Sequence, residues 1–396
     1  MDDEEYYAKR RSRLVQKELA FTEAEFRQRI EEVRKVMDEE GLDALLITHA
    51  PNFGYLSGLQ TFGSCWYMCM VLPREGEPTL HMGHLEFATA LLTSWLADIR
   101  GVRWAAGGEA ESLVEILKER KLEGKRIGVE LRRSGLTLAF FEGLKRGLPG
   151  ATFVDASDVV AKPRMIKSPA ELGYMREAAR ISKKGLDAAL PVITPGVTDN
   201  EIAATLYETM IREGSEFFST QPIVAAGHRS GIVHATYKRT PLKRGDTVIL
   251  EFGAAYERYT SAIYHTAAIG EPSPEVAKQA AVLNDALAVL FRAARPGRSV
   301  HDVAREVSIA LEELWPEPAV YGYSIGSGAP PTWCEDLCYI REGVELELKP
   351  GMTFHSPLGE LIPGTPGVGF SETWAVTDTG CEILTLHDTA LTVVDD

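Results

Sequence analysis

An α/β domain of about 160 residues followed by a larger α+β domain with an internal repeat is the organisation this sequence predicts. Three observations carry it. Short apolar runs alternate with amphipathic helical stretches over roughly the first 155 residues. A double-proline segment, Lys162-Pro163-Arg164-Met165-Ile166-Lys167-Ser168-Pro169, then reads as a linker and a new helix start. Beyond it, Pro-Gly followed by a hydroxyl residue and a helix occurs twice, at Pro195-Gly196-Val197-Thr198 and Pro296-Gly297-Arg298-Ser299. That pattern reads as two copies of one helix–turn–helix–strand unit. The expected domains are residues 1–160 and 161–396.

The first domain is read in order. Thr22 followed by Glu25 is an N-cap with a capping box, opening a helix over 23–40 that Gly41 stops. Apolar runs at 42–47, 65–72 and 78–82 are strands, with 52–58 a turn-rich loop between the first two. A helix over 85–95, a strand at 101–105, a helix at 112–118, a strand at 127–129, a helix near 136–144 and a strand at 151–154 follow. In the second domain an amphipathic helix runs over 170–190 until Pro191 ends it. Thr198 caps the next helix, and 222–230 is a loop. The apolar run Val248–Leu250 is a strand, and a second strand lies within 256–269. Helices at 274–294 and 301–314 and a glycine-rich loop at 321–329 precede apolar stretches at 346–354 and 369–377.

Composition excludes several function classes. The 396 residues are 45% hydrophobic and 25% charged, as expected for a globular chain with a sizeable core. A net charge of −15 argues against nucleic acid and anionic membranes as partners. The N-terminus is charged throughout, without the apolar core of a signal peptide, and no run approaches about 18 apolar residues. The expected location is the cytoplasm. Cys65 and Cys69 are four apart, as are Cys334 and Cys338, so neither pair is C-x-x-C. Reduced cysteines acting as small hydrophobes fit this better than a zinc or redox site.

Chemistry concentrates between His234 and Thr266. Glu251 directly follows the apolar run Val248–Leu250. A carboxylate there leaves water without automatic compensation, so it has either a partner or a use. His234 sits upstream in a polar loop, and imidazole titrates near neutral pH.

The stretches MIKSPAELGYMREAARIS, PLKRGDTVILEFGAAYERYTSAIYHT, LKPGMTFHSPLG and GVGFSETWAVTDTGCEILT resemble the creatinase/prolidase/methionine-aminopeptidase family, and LDALLITHAPNFGYLSGL resembles its N-terminal domain. The resemblance implies a pita-bread second domain, with curved antiparallel sheets flanked by helices and a site between two pseudo-symmetric halves. It also implies a homodimer. The family's peptidases hold two divalent metals with Asp, Asp, His, Glu and Glu, a set suited to activating a bridging water. On this sequence those positions fall on Glu251, Ala262, Tyr323, Pro357 and Glu372. Two carboxylates remain, so the resemblance implies no metal and no other cofactor.

Metal-free members of the family offer the nearest functions. Creatinase hydrolyses a guanidino C–N bond with His and two Glu, but those Glu positions fall here on Tyr264 and Pro357. Ectoine hydrolase opens a cyclic amidine through a covalent bond to glutamate, and Glu251 stands where that nucleophile is expected. The implied function is therefore metal-independent hydrolysis of a C–N or C=N bond in a small zwitterionic substrate such as ectoine. A creatinase-like amidinohydrolase and a catalytically inactive binding protein are the alternatives, and a metal-dependent Xaa-Pro peptidase ranks last. In this scheme Glu251 is the nucleophile, or else a carboxylate left from the lost metal site. His234 moves protons, or is a surface-loop histidine. Glu372 pairs with the amidinium, or is hydrogen-bonded to backbone. Tyr264 and Tyr323 donate hydrogen bonds or fill the space of the metals. His355 is a further proton carrier. Phe62, Trp66 and Tyr67 could cage a cationic ring or pack in a core, and Trp333 and Trp374 are lesser versions of the same idea.

Overall fold

The computed structural model describes residues 3–14, 16–103 and 108–394. It forms two compact units, Met1–Arg164 and Met165–Asp396, whose junction falls inside the double-proline segment.

The first unit opens with α1 (Asp3–Arg11) and α2 (Glu23–Glu39). The Thr22 hydroxyl accepts the Glu25 N–H at the start of α2, the N-cap half of the expected capping box, while the Glu25 carboxylate pairs with Arg29 at 2.9 Å. Then come β1 (Ala44–Ile47), α3 (Ala50–Ser57), β2 (Met68–Pro73), β3 (Thr79–Gly83), α4 (Phe87–Thr93) and β4 (Asp98–Val102). The unit closes with α5 (Gly108–Glu119), β5 (Arg126–Val129), α6 (Leu138–Gly147), β6 (Thr152–Asp155) and α7 (Ala161–Arg164). The six strands lie in the order β4-β3-β2-β1-β5-β6. Pairing is antiparallel from β1 through β2 to β3 and parallel elsewhere. β1, β2 and β3 are buried throughout, which is why they read as continuous apolar runs rather than alternating ones.

One expectation fails here. The 52–58 stretch is helix α3, not a loop. Pro51 sits in its first turn and Gly58, at φ 77°, ends it, so turn-forming residues are serving as helix punctuation. The buried Glu130 carboxylate accepts the N–H groups of Thr48 and His49 at 2.7 Å and the Asn52 amide, satisfying donors that the start of α3 leaves open. Of the strand expected at 101–105, Trp104 and Ala105 lie outside the described residues.

The second unit holds α8 (Pro169–Ala189), α9 (Asp199–Arg212), β7 (Ile223–Ala226), β8 (Thr247–Tyr256) and β9 (Tyr259–Ile269). Next are α10 (Pro274–Ala293), α11 (Val300–Leu311), β10 (Tyr323–Ala329), β11 (Thr332–Tyr339) and β12 (Thr353–His355). Five short strands finish it: β13 (Leu358–Glu360), β14 (Val368–Phe370), β15 (Thr373–Val376), β16 (Cys381–Ile383) and β17 (Thr392–Val394). Ser168 and Thr198 each form a complete capping box, with Glu171 and Glu201. The main sheet runs β16-β15-β12-β10-β9-β8-β7, with β11 on β10 and β17 on β9. Its pairings are antiparallel, except that β17 lies parallel to β9. Among the described residues no helix is long and apolar enough to cross a membrane.

The internal repeat is present in the backbone. Gly196 (φ 90°) donates its N–H to Leu242 O at 2.9 Å, and Gly297 (φ 81°) donates to Leu348 O at 2.8 Å. Leu242 and Leu348 return 2.8 Å bonds to Val197 and Arg298. Both leucines open a Leu-Lys-x-Gly turn that feeds a strand, β8 in one half and β12 in the other. Counting from those turns, Pro357 occupies the place of Glu251. Each half has its own core: Ile181, Leu206, Leu250 and Phe252 in the first, Leu287, Val307, Phe354 and Trp374 in the second.

The glycine-rich 321–329 stretch is strand β10 rather than a loop. A Cβ on Gly326 would stand 2.8 Å from Glu335 Oε1, and one on Gly328 2.7 Å from Trp333 Cα. The glycines allow close approach, which composition alone cannot distinguish from flexibility. Close by, Lys167 and Glu335 form an ion pair in which both side chains are 1% exposed. The Lys167 N–H also bonds Gly351 O at 2.8 Å.

Candidate active site

Glu251 lies within β8, opposite Ile223 of β7 on one side and Tyr264 of β9 on the other. Its side chain helps to line a cavity of about 660 Å³ in the second unit, together with His234, Phe218, Tyr323, Trp333 and short polar residues. No Lys or Arg is among the lining residues. The Glu251 side chain makes no hydrogen bond or ion pair with another described residue. Burial pushes its carboxyl up to about 7. The acid is thus poised near neutrality by desolvation alone, the condition under which a carboxylate is most basic and least occupied.

His234 lines the same cavity from the loop after β7 and is exposed. Its φ of 59° is left-handed, a region histidine tolerates better than most residues with a Cβ. The structure therefore brings together His234, Glu251, Tyr323 and Trp333 of the residues singled out from sequence.

Tyr323 is held from behind. Its hydroxyl oxygen accepts the Trp333 indole N–H at 2.9 Å and lies 2.9 Å from His355 Nδ1. His355 Nε2 is 2.6 Å from Ser371 Oγ, which accepts the Tyr264 N–H at 2.7 Å. His355 is fully buried, and burial holds its imidazole neutral by pushing it down to about 3. It supports the cavity wall and does not line it.

Glu372 is also absent from the wall. Its carboxylate accepts from the Thr385 hydroxyl and from the His387 N–H at 3.1 Å. His387 Nδ1 is 3.1 Å away but not aligned for a hydrogen bond. Tyr264 is buried, its ring packed on Gly359 and Gly369 and its hydroxyl without a partner. Tyr67, in the first unit, bonds His81 Nδ1 at 2.7 Å and packs its ring against Phe140. Phe62 and Trp66, between α3 and β2, are 81% and 45% exposed. Trp374 is fully buried and stacked on Phe354. Sequence reasoning missed Phe218 on the wall and Ser371 behind it, and no local pattern marks either one.

The residues do not fit the family's two-metal centre. Ala262 carries no ligand atom, and its backbone is bracketed by the Thr373 hydroxyl at 2.9 Å on both N–H and C=O. Pro357 likewise offers no side-chain donor, Tyr323 is engaged with Trp333 and His355, and Glu372 with Thr385 and His387. Among the described residues, no group of three or more His, Cys, Asp or Glu is placed to hold a metal ion.

Comparison with known proteins agrees with this architecture. Residues 173–378 match the model for metallopeptidase family M24, and residues 29–166 match that for the creatinase/prolidase N-terminal domain. The ectoine hydrolase of Halomonas elongata is 27% identical over 391 residues, covering 94% of this chain and 98% of that protein. The Xaa-Pro dipeptidase of Pyrococcus furiosus is 27% identical over 372 residues, covering 91% and 98%. The crystal structure of the prolidase from Pyrococcus horikoshii superposes with a TM-score of 0.80 at 26% identity, covering 92% and 99%.

Proposed function

This chain belongs to metallopeptidase family M24, and from that premise we propose that it hydrolyses a C–N or C=N bond of a small zwitterionic solute without a metal, by an ectoine-hydrolase-like ring opening. One observation carries the proposal. Glu251 is the acid among the described residues that line the cavity, no Lys or Arg is among them, its side chain bonds no described residue, and burial pushes its carboxyl up to about 7. Such a wall favours a cationic centre, as in an amidinium, over an anion. A peptidase of this family needs a metal-bound water, and the donors for one are missing at Ala262 and Pro357.

The chemistry then runs on this chain's own groups. A Glu251 carboxylate oxygen adds to the amidine carbon. The ring C–N bond breaks, and its nitrogen leaves as an amine with the proton that the amidinium carried. Water, losing a proton to His234, adds to the same carbon and releases Glu251, and His234 passes that proton to the free amine. The balance is one amidine plus one water giving one amide and one amine. The same reading takes the protein to act as a homodimer, which light scattering of the purified chain tests.

Turnover of ectoine, creatine and Xaa-Pro dipeptides, each with and without chelator, tests the function. Ectoine ring opening that ignores chelator, with an ectoine-derived mass adduct on Glu251, is the expected result. Dipeptide cleavage lost on chelation would overturn it in favour of the peptidase.

A further inference from the structure

The hydrogen bonds behind the cavity wall fix where one proton points. Two donors in the chain have no choice: the Trp333 indole N–H gives to Tyr323 Oη, and the Tyr264 N–H gives to Ser371 Oγ. His355, buried and neutral, carries a single ring proton and joins the two oxygens. That leaves two arrangements. In one, Tyr323 donates to Nδ1, and Nε2–H donates to Ser371. Ser371 Oγ would then accept twice, and its own proton would have no acceptor at a residue that is 0% exposed. A buried unsatisfied donor of this kind costs about 1–3 kcal/mol. In the other, Ser371 donates to Nε2, and Nδ1–H donates to Tyr323. Every proton in the chain except that of the Tyr323 hydroxyl then has an acceptor, and the Tyr323 oxygen, on the cavity wall, receives two N–H bonds. Its own proton is left over, and it faces the cavity.

Three of the four other hydroxyls on the wall are already committed, and the Thr332 oxygen accepts the Cys334 N–H at 3.0 Å. Thr220 donates to Pro331 O and Thr236 to Pro222 O, while Ser219 shares a hydrogen bond with Thr260. Glu251, the nearby acid, takes no hydrogen bond from Tyr323. A simple anion at Tyr323 would be repelled by Glu251, and a simple cation at Glu251 would leave the Tyr323 donor unmatched. A molecule carrying both charges meets both groups.

We propose that Tyr323 is a specificity-determining residue, its hydroxyl proton committed to the cavity by Trp333 and His355, where it binds a carboxylate oxygen of a zwitterionic substrate whose cationic carbon faces Glu251. This rests on reading the cavity as the substrate site. Two N–H bonds onto one phenol oxygen polarise its O–H and strengthen it as a donor. His355 acts as a positioning residue, holding the donor direction through its tautomer.

Two measurements test the proposal, and they fail separately. Neutron diffraction from a deuterated crystal of the full chain reads the protons directly. Deuterium on His355 Nδ1, none on Nε2, and a Tyr323 deuteron turned into the cavity are expected. Deuterium on Nε2 overturns the proposal whatever the substrate is. Calorimetry then compares ectoine with 2-methyl-1,4,5,6-tetrahydropyrimidine, the same ring without the carboxylate. Tyr323→Phe is expected to weaken ectoine binding by about tenfold to a hundredfold, the worth of a hydrogen bond to a charged group. It should change binding of the ring analogue by less than about twofold. Equal losses for both ligands, or none for either, overturn the carboxylate assignment. If the wild-type protein binds neither ligand, the ectoine reading falls, and the neutron map still decides the direction of the Tyr323 proton.

Discussion

In the first half of the second unit, Gly196 and Leu242 lock a Pro-Gly turn onto the segment that enters β8. In the second half, Gly297 and Leu348 do the same ahead of β12. The frames match, yet the strands they feed diverge. β8 runs ten residues and carries Glu251 with its side chain in the cavity. β12 stops after three, and Pro357, at the place of Glu251, has no N–H to continue a ladder. The second half keeps its acid on the neighbouring strand connection instead, as Glu372, and surrounds it with Thr385 and His387. One repeat has made its carboxylate available by withholding partners. The other has made its carboxylate structural by supplying them.

Each side of that contrast can be broken. The largest effect is expected from Glu251→Gln, which should lower ectoine turnover by roughly a thousandfold or more while leaving the fold intact. Normal turnover in this variant would remove the nucleophile. The stability of the same variant against pH gives the next effect. The folded pKa of Glu251 is raised from 4.5 to about 7, so the folded state holds the proton more tightly than the unfolded chain. Its contribution is therefore favourable at low pH and is lost as pH rises from 4.5 through about 7. Glu251→Gln should equal wild type near pH 4.5 and exceed it above neutrality by at most roughly 3 kcal/mol, read by urea denaturation. A difference that does not grow with pH would mean that Glu251 is not desolvated.

Glu372→Gln should do the reverse. Stability falls by about 2 kcal/mol, because a charged acceptor is lost to two buried donors, while turnover per folded molecule stays within about threefold. A large loss of turnover with melting unchanged would return Glu372 to the chemistry. The smallest effect tests the shared frame. Gly196→Ala and Gly297→Ala meet no atoms within 4 Å, so each reports only left-handed backbone strain. Losses of about 1 kcal/mol in both, equal within error of melting curves, are expected. Unequal losses would mean that the turns are not equivalent.

What the sequence made legible follows range. Helix starts at Thr22, Ser168 and Thr198 are written in three or four consecutive residues, and each forms where it is read. The repeat was visible because its Pro-Gly turns are local. Glu251 stood out because an acid next to an apolar run is a local anomaly. Glu372 was less readable, because Thr385 and His387 reach it only through tertiary pairing. The role of Tyr323 was hidden by the glycines around it, which made a strand look like a loop. His355 and Ser371 gain meaning only when β12 and β15 are side by side.

The Lys167–Glu335 pair reaches into handling of the molecule. Its lysine belongs to the double-proline segment, which by composition reads as a loose tether. Its ammonium is nevertheless sealed inside the second unit, and its amide is tied to Gly351. Any excision of that unit for separate expression must therefore begin ahead of Lys167. A cut placed after it removes the ammonium that faces the buried Glu335 carboxylate.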